Sequence, residues 1–131
     1  MTKTVDLNAD MGESFGPWPM GNDAALLDIM SSANIACGGH AGNDSTMVKT
    51  LTLAKQHNVT IGAHPSYPDR ENFGRLPINI SPESLTDSLY QQITALKKIA
   101  QQHDLVLAYV KPHGALYNQA ADDVVLGELI I

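Results

Sequence analysis

The sequence predicts an α/β fold with a parallel sheet, and three features support that prediction. Short apolar, β-favouring runs alternate with longer stretches whose apolar residues recur three or four positions apart. A polar segment rich in glycine or proline follows each strand-like run. Strand–helix alternation is typical of parallel strands joined by right-handed crossovers. A doubly wound open sheet and a (β/α) barrel are therefore the two candidate architectures.

Four strands are predicted from apolar runs bounded by Gly, Pro, Asn or Asp. They span residues 4–8, 33–37, 59–63 and 105–110. The clearest helix is predicted over residues 81–103, where Ser81 can cap free amides, Pro82 takes the first helical position and Glu83 complements the helix dipole. Three further helices are predicted from 22 or 23 to 32, from 44 or 45 through 54, and from 119 or 122 to at least 131.

Residues 1–131 are predicted to form a single α/β domain, because no linker, repeat or low-complexity run divides them. The last predicted helix ends on apolar residues without a helix-stop signal. Four βα units also make up only half of a barrel of about 250 residues. We therefore expect the N-terminal half of a longer barrel.

Composition and charge exclude several classes of function. The 131 residues include 8 Lys and Arg against 14 Asp and Glu, which gives a net charge of -6 without a basic cluster. Binding to nucleic acid or to an anionic membrane is therefore not expected. No apolar run approaches the roughly 20 residues of a membrane-spanning helix. A single cysteine and the lack of a secretory leader predict a cytoplasmic protein.

Chemically capable side chains follow the predicted strands. His40, His64 and His113 lie zero to three residues beyond successive strands, and Asp10 and Glu13 follow the first. Because the carboxyl ends of parallel strands meet at one edge, we expect these five residues to form a catalytic site. They could bind a divalent metal or form a metal-free acid–base array. Spacing leaves both open, since no HExxH or HxxxH pair is present.

Other strand-end residues suit binding of a substrate or phosphate. Glycines before a helix N-terminus let the backbone approach an anion, although this loop lacks the spacing of known phosphate loops. Arginines in a proline-stiffened loop suit recognition of a carboxylate or phosphate. The binding candidates are Asp6, Asn8, Gly38, Gly42, Asp69, Arg70, Arg75 and Lys111. Cys37 is interpreted as a small buried residue rather than a nucleophile.

Four blocks at the strand ends resemble the signature of a known family. In order they read DLNADMGESFG, SANIACGGHAG, GAHPSYPDRENFGR and VKPHGALYNQA. They are similar to the LamB/YcsF family, the A subunits of bacterial ATP-dependent 5-oxoprolinases. The resemblance implies a (β/α) barrel of the glycoside hydrolase/deacetylase type, seven-stranded when complete, of which this chain holds about the first four βα units.

The resemblance also implies an activity: hydrolysis of the lactam of 5-oxo-L-proline to L-glutamate, with ATP, bound together with Mg²⁺, converted to ADP and phosphate. Subunits B and C are the implied partners. Beyond the residues already named, Gly12, Pro65 and Tyr117 carry over from the matching blocks, with Tyr117 as a further binding candidate. Two positions depart from the family pattern: Asn43 replaces an Asp, so that Asp44 is the expected helix cap, and Gly39 replaces a bulky aromatic.

A physical reason for the use of ATP is that a five-membered lactam is a poor electrophile. Phosphorylation would turn its carbonyl oxygen into a leaving group. Lys111, Arg70 and Arg75 are then the candidates for anion contacts, and the three strand-end histidines with Asp10 or Glu13 are the candidates for proton transfer. Two alternatives stay open: a metal-dependent deacetylase or amidohydrolase, and a non-catalytic binding or assembly component.

Overall fold

Parallel strands and the helices between them make up the described part of the chain, residues 2–14 and 20–131 of a computed structural model. The strands are β1 (Asn8–Met11), β2 (Ser32–Ala36), β3 (Thr60–His64) and β4 (Leu107–Val110). The helices are α1 (Asp23–Leu27), α2 (Asp44–Gln56), α3 (Pro82–Gln102), α4 (Gly114–Asp122) and α5 (Val124–Ile130). Phe15 and Gly16, which end the first of the four blocks, lie outside the described residues.

The strands form one sheet in the order β1-β2-β3-β4, and every neighbouring pair is parallel. The predicted α/β class with a parallel sheet is therefore confirmed, whereas a closed barrel stays a prediction. Met11 lies opposite Ile35, Ala36 opposite His64, and Ala63 opposite Val110. The carboxyl ends of the strands thus lie at one edge of the sheet, and the loops that leave them are brought together.

The main hydrophobic core lies between the sheet and the helices α2 and α3. Ile35 and Ile61 from the strands pack in this core with Leu51 of α2 and Leu96 of α3, and all four side chains are buried. Alternation along a strand directs neighbouring side chains to opposite faces. The helix-covered face of the sheet is consequently apolar, and the other face is left for polar groups.

That other face, here called the polar face, carries Asn8 and Asp10 of β1, which both hydrogen-bond to Asn34 of β2. Tyr109 of β4 extends its ring across Gly62 of β3, where a Cβ atom would lie 2.2 Å from Tyr109 Cε2. Glycine is therefore required at position 62 by this close approach. Side chains from strands that are distant in sequence meet on the polar face.

The predicted bounds of the first strand and the first helix are wrong. The strand was expected over residues 4–8 but spans Asn8–Met11, because its pairing with β2 begins at Asn8 opposite Ser32. The helix was expected to reach residue 32 but ends at Leu27. The amides of Ser31 and Ser32 both donate to the carbonyl of Leu7, which turns the chain into β2.

The last predicted helix is two helices in the structure. Helix α4 begins at Gly114 rather than at 119 or 122, and Asp123 separates it from α5. The Asp123 carboxylate accepts hydrogen bonds from the amides of Val125 and Leu126, so it caps a new helix. The helix predicted over 81–103 is confirmed as Pro82–Gln102, with Ser81 as its cap.

Candidate functional site

Three histidines and a glutamate gather at the carboxyl edge of the sheet. His64 ends β3, His40 lies in the loop after β2, His113 immediately precedes α4, and Glu13 follows β1. The three histidines are buried, with 0%, 0% and 6% exposure for His40, His64 and His113. One potential ligand atom from each of the four residues lies within 4.8 Å of the others. We call these four residues the histidine cluster.

The rings of the cluster are packed against one another. His40 and His113 are stacked, with ring centroids 3.6 Å apart and an angle of 8° between the planes. His64 stands edge-on to both, at 5.4 Å from His40 and 4.9 Å from His113. The Phe73 ring packs edge-on against the stacked pair. This packing holds the orientation of each imidazole.

Two backbone carbonyls determine which ring nitrogens carry hydrogen. His64 Nδ1 lies 2.6 Å from the carbonyl oxygen of Lys111, and His113 Nε2 lies 2.8 Å from that of Phe73. A carbonyl oxygen can only accept, so both of these nitrogens are donors. In a neutral ring the other nitrogen then has a free lone pair. These other nitrogens, His64 Nε2 and His113 Nδ1, lie 3.1 Å apart at the centre of the cluster.

Carboxylates flank this central pair of nitrogens. Glu13 Oε1 lies 3.0 Å from His40 Nε2 and 3.9 Å from His113 Nδ1. Asp10 Oδ1 lies 3.3 Å from His64 Nε2 and 3.5 Å from Lys111 Nζ. Asn34 Nδ2 also donates a hydrogen bond of 2.9 Å to Asp10 Oδ1.

The environment controls the protonation of these groups. Burial lowers the pKa of His113 to about 4, and it lowers the pKa of His40 as well. Contact with His64, helped by the Asn34 hydrogen bond, holds the pKa of the Asp10 carboxyl well below its usual range although burial opposes this. Near neutral pH, the imidazoles of His40 and His113 are therefore neutral, and the Asp10 carboxyl is ionised. Such a set can accept a proton from water or bind a cation.

The loop that carries His40 is held by Gln92 of α3. The Gln92 side chain accepts a hydrogen bond of 3.0 Å from the amide of Ser66 and donates one of 2.9 Å to its carbonyl. A Cβ atom at Gly39 would lie 2.3 Å from Gln92 Oε1 and 2.6 Å from Ser66 Oγ. The family pattern has a bulky aromatic residue at position 39, but this chain has glycine. Glycine is needed here because Gln92 fills the space that a side chain would occupy.

Asn43, the other position at which this chain differs from the family pattern, is the N-terminal cap of α2. Asn43 Oδ1 accepts a hydrogen bond of 2.9 Å from the Thr46 amide, and the Asn43 amide donates one of 2.8 Å to Thr46 Oγ1. The expectation that Asp44 would provide the cap is wrong, since Asp44 is the first residue of the helix. An amide serves here as well as a carboxylate, because capping needs only an acceptor oxygen.

The three predicted anion-binding cations contact groups of the protein itself. Arg70 donates hydrogen bonds of 2.9 and 2.7 Å to the carbonyls of Gly38 and Gly42, so it braces the glycine-rich loop. The guanidinium of Arg75 lies 4.9 Å from the centre of the Phe73 ring. Their role in anion binding stays a prediction.

Lys111 connects the histidine cluster to Tyr117. Its Nζ atom lies beside the Asp10 carboxylate and 5.5 Å from the centre of the Tyr117 ring, while its carbonyl accepts from His64. Lys111 is the one predicted cation that the structure places at the cluster among the described residues.

The side chains of the remaining binding candidates contact other parts of the protein. Asp6 accepts hydrogen bonds from the hydroxyls of Ser31 and Ser32, before β1 begins. Asn8 lies at the amino end of β1 in the network of the polar face. Asp69 caps its own turn by accepting from Asn72. The contacts of Asp6, Asn8 and Asp69 in this structure are structural, and their proposed part in binding stays a prediction.

Sequence reasoning missed four residues that shape the site: Asn34, Phe73, Gln92 and Tyr109. A signal was available for Asn34, since a lone amide inside an apolar strand needs a buried partner. Phe73 and Tyr109 carry no such signal, because an aromatic residue is ordinary core material. Cys37 is buried as expected, and burial raises its pKa to about 12, so the thiol is no nucleophile at neutral pH.

Known proteins are similar to this sequence. The LamB/YcsF family model matches residues 5–131. The chain is 52% identical over 130 residues to the 5-oxoprolinase A subunit of Methylococcus capsulatus, covering 99% of this chain and 50% of that protein. It is 55% identical over 115 residues to the 5-oxoprolinase A subunit of Cutibacterium acnes, covering 88% of this chain and 45% of that protein.

A solved structure is similar as well. The lactam utilization protein from Thermus thermophilus superposes with a TM-score of 0.94 at 43% identity, covering 98% of this chain and 52% of that one. The chain therefore spans about half the length of the curated relatives and the solved structure that it matches. No helix in the described ranges has both the length and the apolar character needed to cross a membrane.

Proposed function

This chain belongs to the LamB/YcsF family, and we propose that it takes part in lactam utilization as the A subunit of an enzyme that hydrolyses 5-oxo-L-proline to L-glutamate. The observation that carries the proposal is the pair of inward-facing nitrogens in the histidine cluster, His64 Nε2 and His113 Nδ1, 3.1 Å apart. Buried neutral imidazoles are the usual general bases for the activation of water.

The reaction requires few groups. Water adds to the lactam carbonyl carbon, the ring C–N bond breaks, and the nitrogen leaves as the amine of glutamate. A base must take a proton from the water and an acid must return one to the nitrogen. One of the two inward-facing nitrogens can do both in turn, as histidines commonly do in acyl transfer. Asp10 and Glu13 would stabilise the imidazolium that forms.

Lys111 would stabilise negative charge on the substrate. Its ammonium group reaches the edge of the cluster beside Asp10, where it is 40% exposed. A 5-oxo-L-proline carboxylate could replace part of its contact with Asp10, and the oxyanion that develops during hydrolysis would also be attracted to it. Arg70 and Arg75 would need to leave their present contacts before they could take that role.

We assign the use of ATP with Mg²⁺ to the assembled enzyme rather than to contacts of this chain. Arg70 and Arg75 are engaged with Gly38, Gly42 and Phe73, and the Asp10 and Glu13 carboxylates around the histidine cluster would repel a polyphosphate. Activation of the lactam by phosphorylation would then need the partner subunits B and C, whose existence is suggested by the designation of the relatives as A subunits.

Reconstitution tests this function. We expect glutamate and ADP to form from 5-oxo-L-proline and ATP only when this protein and both partner subunits are present. Glutamate formation without ATP would instead support a metal-dependent amidohydrolase, the second candidate, which is favoured by the four ligand groups within 4.8 Å. Full activity of the partners with a His113→Ala, His64→Ala double variant would show a non-catalytic assembly role and would contradict the proposal.

A further inference from the structure

One aromatic residue beside the histidine cluster has a strained backbone. In residues 2–14 and 20–131, three residues other than glycine have positive φ angles: Asn58, Phe73 and Asp104, at 55°, 55° and 57°. Asn58 and Asp104 directly follow the caps of α2 and α3, where asparagine and aspartate readily take this conformation. Phe73 lies in a turn after β3, and its bulky side chain makes a left-handed backbone unfavourable. Contacts with its surroundings must therefore hold Phe73 in this conformation.

Phe73 contacts the histidine cluster with both its main chain and its side chain. Its carbonyl oxygen accepts a hydrogen bond of 2.8 Å from His113 Nε2. Its ring packs edge-on against two imidazoles, with centroid distances of 5.2 Å to His113 and 5.0 Å to His40. The Arg75 guanidinium lies over the same ring, 4.9 Å from its centre. The ring is thus held by two imidazoles and a cation, while the carbonyl of the same residue is aimed at one of those imidazoles.

The turn that carries Phe73 lies directly against the histidines. The carbonyl of the next residue, Gly74, accepts a hydrogen bond of 3.0 Å from the amide of Ala115, the second residue of α4. A Cβ atom at Gly74 would lie 3.0 Å from His40 Cβ and 3.2 Å from His113 Cδ2. The turn is therefore joined to the start of α4, immediately after His113, and a change in its backbone would alter the surroundings of that imidazole.

Given the proposed function, in which His113 Nδ1 is a candidate for proton transfer, we infer that Phe73 is a positioning residue for the His113 imidazole. An imidazole can rotate about the bonds that join it to the main chain, so an anchor at Nε2 is needed to direct Nδ1. The Phe73 carbonyl is that anchor, and the packed Phe73 ring holds the carbonyl in place. Relaxation of the strained backbone would turn the carbonyl away from the imidazole.

Steady-state kinetics of the assembled enzyme test this role. Phe73→Ala should lower kcat for 5-oxo-L-proline by about 10–100-fold, because misplacing a reacting group by about 1 Å can cost roughly 100-fold in rate. KM should stay within about threefold, since the proposed contact of the substrate is Lys111, on another loop. Tyr90→Ala is the matched control, because Tyr90 lies on α3 with 72% exposure, and it should keep both constants. Equal kcat values for the two variants, or a loss in KM alone, would overturn the inference.

A pair of variants separates the strained backbone from the ring. Phe73→Ala and Phe73→Gly both remove the ring, but only glycine takes the left-handed conformation without steric cost. Phe73→Gly should therefore melt roughly 2–4 °C above Phe73→Ala. Its kcat should still be at least about tenfold below that of the parent, because the ring that holds the carbonyl is lost. A melting temperature at or below that of Phe73→Ala would show that position 73 is unstrained, which contradicts the inference.

The imidazole N–H group of His113 provides a readout that does not depend on the reaction. In the purified protein its Nε2–H resonance, assigned by its loss in His113→Ala, should exchange slowly with solvent because it is hydrogen-bonded and buried. Phe73→Ala should speed this exchange at least about tenfold, whereas Tyr90→Ala should leave it unchanged. Faster exchange without any turnover by the parent enzyme would support the positioning of His113 and refute the proposed function. An unchanged exchange rate in Phe73→Ala would refute the positioning role whatever the activity.

Discussion

The hydroxyl of Tyr109 on β4 donates a hydrogen bond of 2.8 Å to Asn34 Oδ1 on β2, and its ring crosses the intervening strand at Gly62. Asn34 in turn donates to Asp10, which lies beside His64. The side-chain amide of Asn34 thus links Tyr109, on the polar face, to Asp10 beside the histidine cluster. Burial raises the pKa of Tyr109, so its hydroxyl keeps the donated hydrogen near neutral pH.

Tyr109→Phe should keep the ring in place and lose its hydrogen bonds to Asn34 and Asn8. The expected loss in free energy of unfolding is about 1 kcal/mol. Gly62→Ala should cost more, about 1–3 kcal/mol, since the new methyl group would overlap the ring. Urea unfolding of both variants measures the difference. A Gly62→Ala protein as stable as the parent would show that the ring does not lie across this strand.

Gly39→Ala should destabilise the loop that carries His40 by about 1–3 kcal/mol, because Gln92 occupies the space of the methyl group. In a Gln92→Ala background the same change should cost less. The coupling in this double-mutant cycle should fall between about 0.5 and 3 kcal/mol. Strict additivity of the two free energies would argue against contact between positions 39 and 92.

His113→Ala should lower the turnover of 5-oxo-L-proline by the assembled enzyme at least about 100-fold, the lower end for loss of an acid–base group. The matched control is His57→Ala, since His57 pairs with Asp28 at the end of α2 and lies outside the cluster. Turnover numbers with saturating substrate and ATP provide the measurement. Turnover by His113→Ala equal to that of the control would remove His113 from the acid–base candidates.

Cys37 should resist thiol reagents in the folded protein. Its pKa of about 12 lies above pH 8, so the reactive thiolate is a minute fraction, roughly 10⁻⁴, and burial limits access further. Ellman's reagent at pH 8 should therefore label the native protein slowly. In guanidinium chloride one thiol per chain should react rapidly. Fast labelling without denaturant would mean that the carboxyl end of β2, which Cys37 follows, opens to solvent.

Leu51→Ala should reduce the free energy of unfolding by about 2–5 kcal/mol, because Leu51 is fully buried between α2 and the sheet. Leu76→Ala is the matched control, since Leu76 is 52% exposed. Its effect should stay within about 0.5 kcal/mol. Equal losses for the two variants in thermal or urea unfolding would contradict the position of the core.

Local patterns were enough to predict helix α3 and, to within one residue, where β2, β3 and β4 end. His64 ends β3 and His113 lies three residues after the end of β4, as the polar residues after apolar runs indicated. The cap and first turn of α3 were readable because Ser81, Pro82 and Glu83 act on neighbouring backbone. Such features depend on residues a few positions apart, which a sequence displays directly.

Features that depend on contacts between distant segments were not predictable. The β-favouring Val5 suggested an earlier first strand, yet pairing with β2 begins at Asn8 and leaves Val5 81% exposed. Arg70 was a candidate for anion binding, and only the folded chain shows its contacts with Gly38 and Gly42. The stacking of His40 on His113 likewise arises from two loops separated by more than 70 residues.

The two carbonyls that accept from His64 and His113 belong to the main chain of Lys111 and Phe73. Every amino acid has that carbonyl group. The path of the backbone, and not a side chain, therefore determines which nitrogen of His64 and of His113 carries a hydrogen. A substitution at position 73 or 111 therefore keeps the acceptor oxygen as long as the path of the backbone is kept, and it removes only the packing of Phe73 or the charge of Lys111. The direction in which the lone pairs of the two neutral rings point is thus a property of the main chain, whereas the charge and the walls of the site belong to side chains.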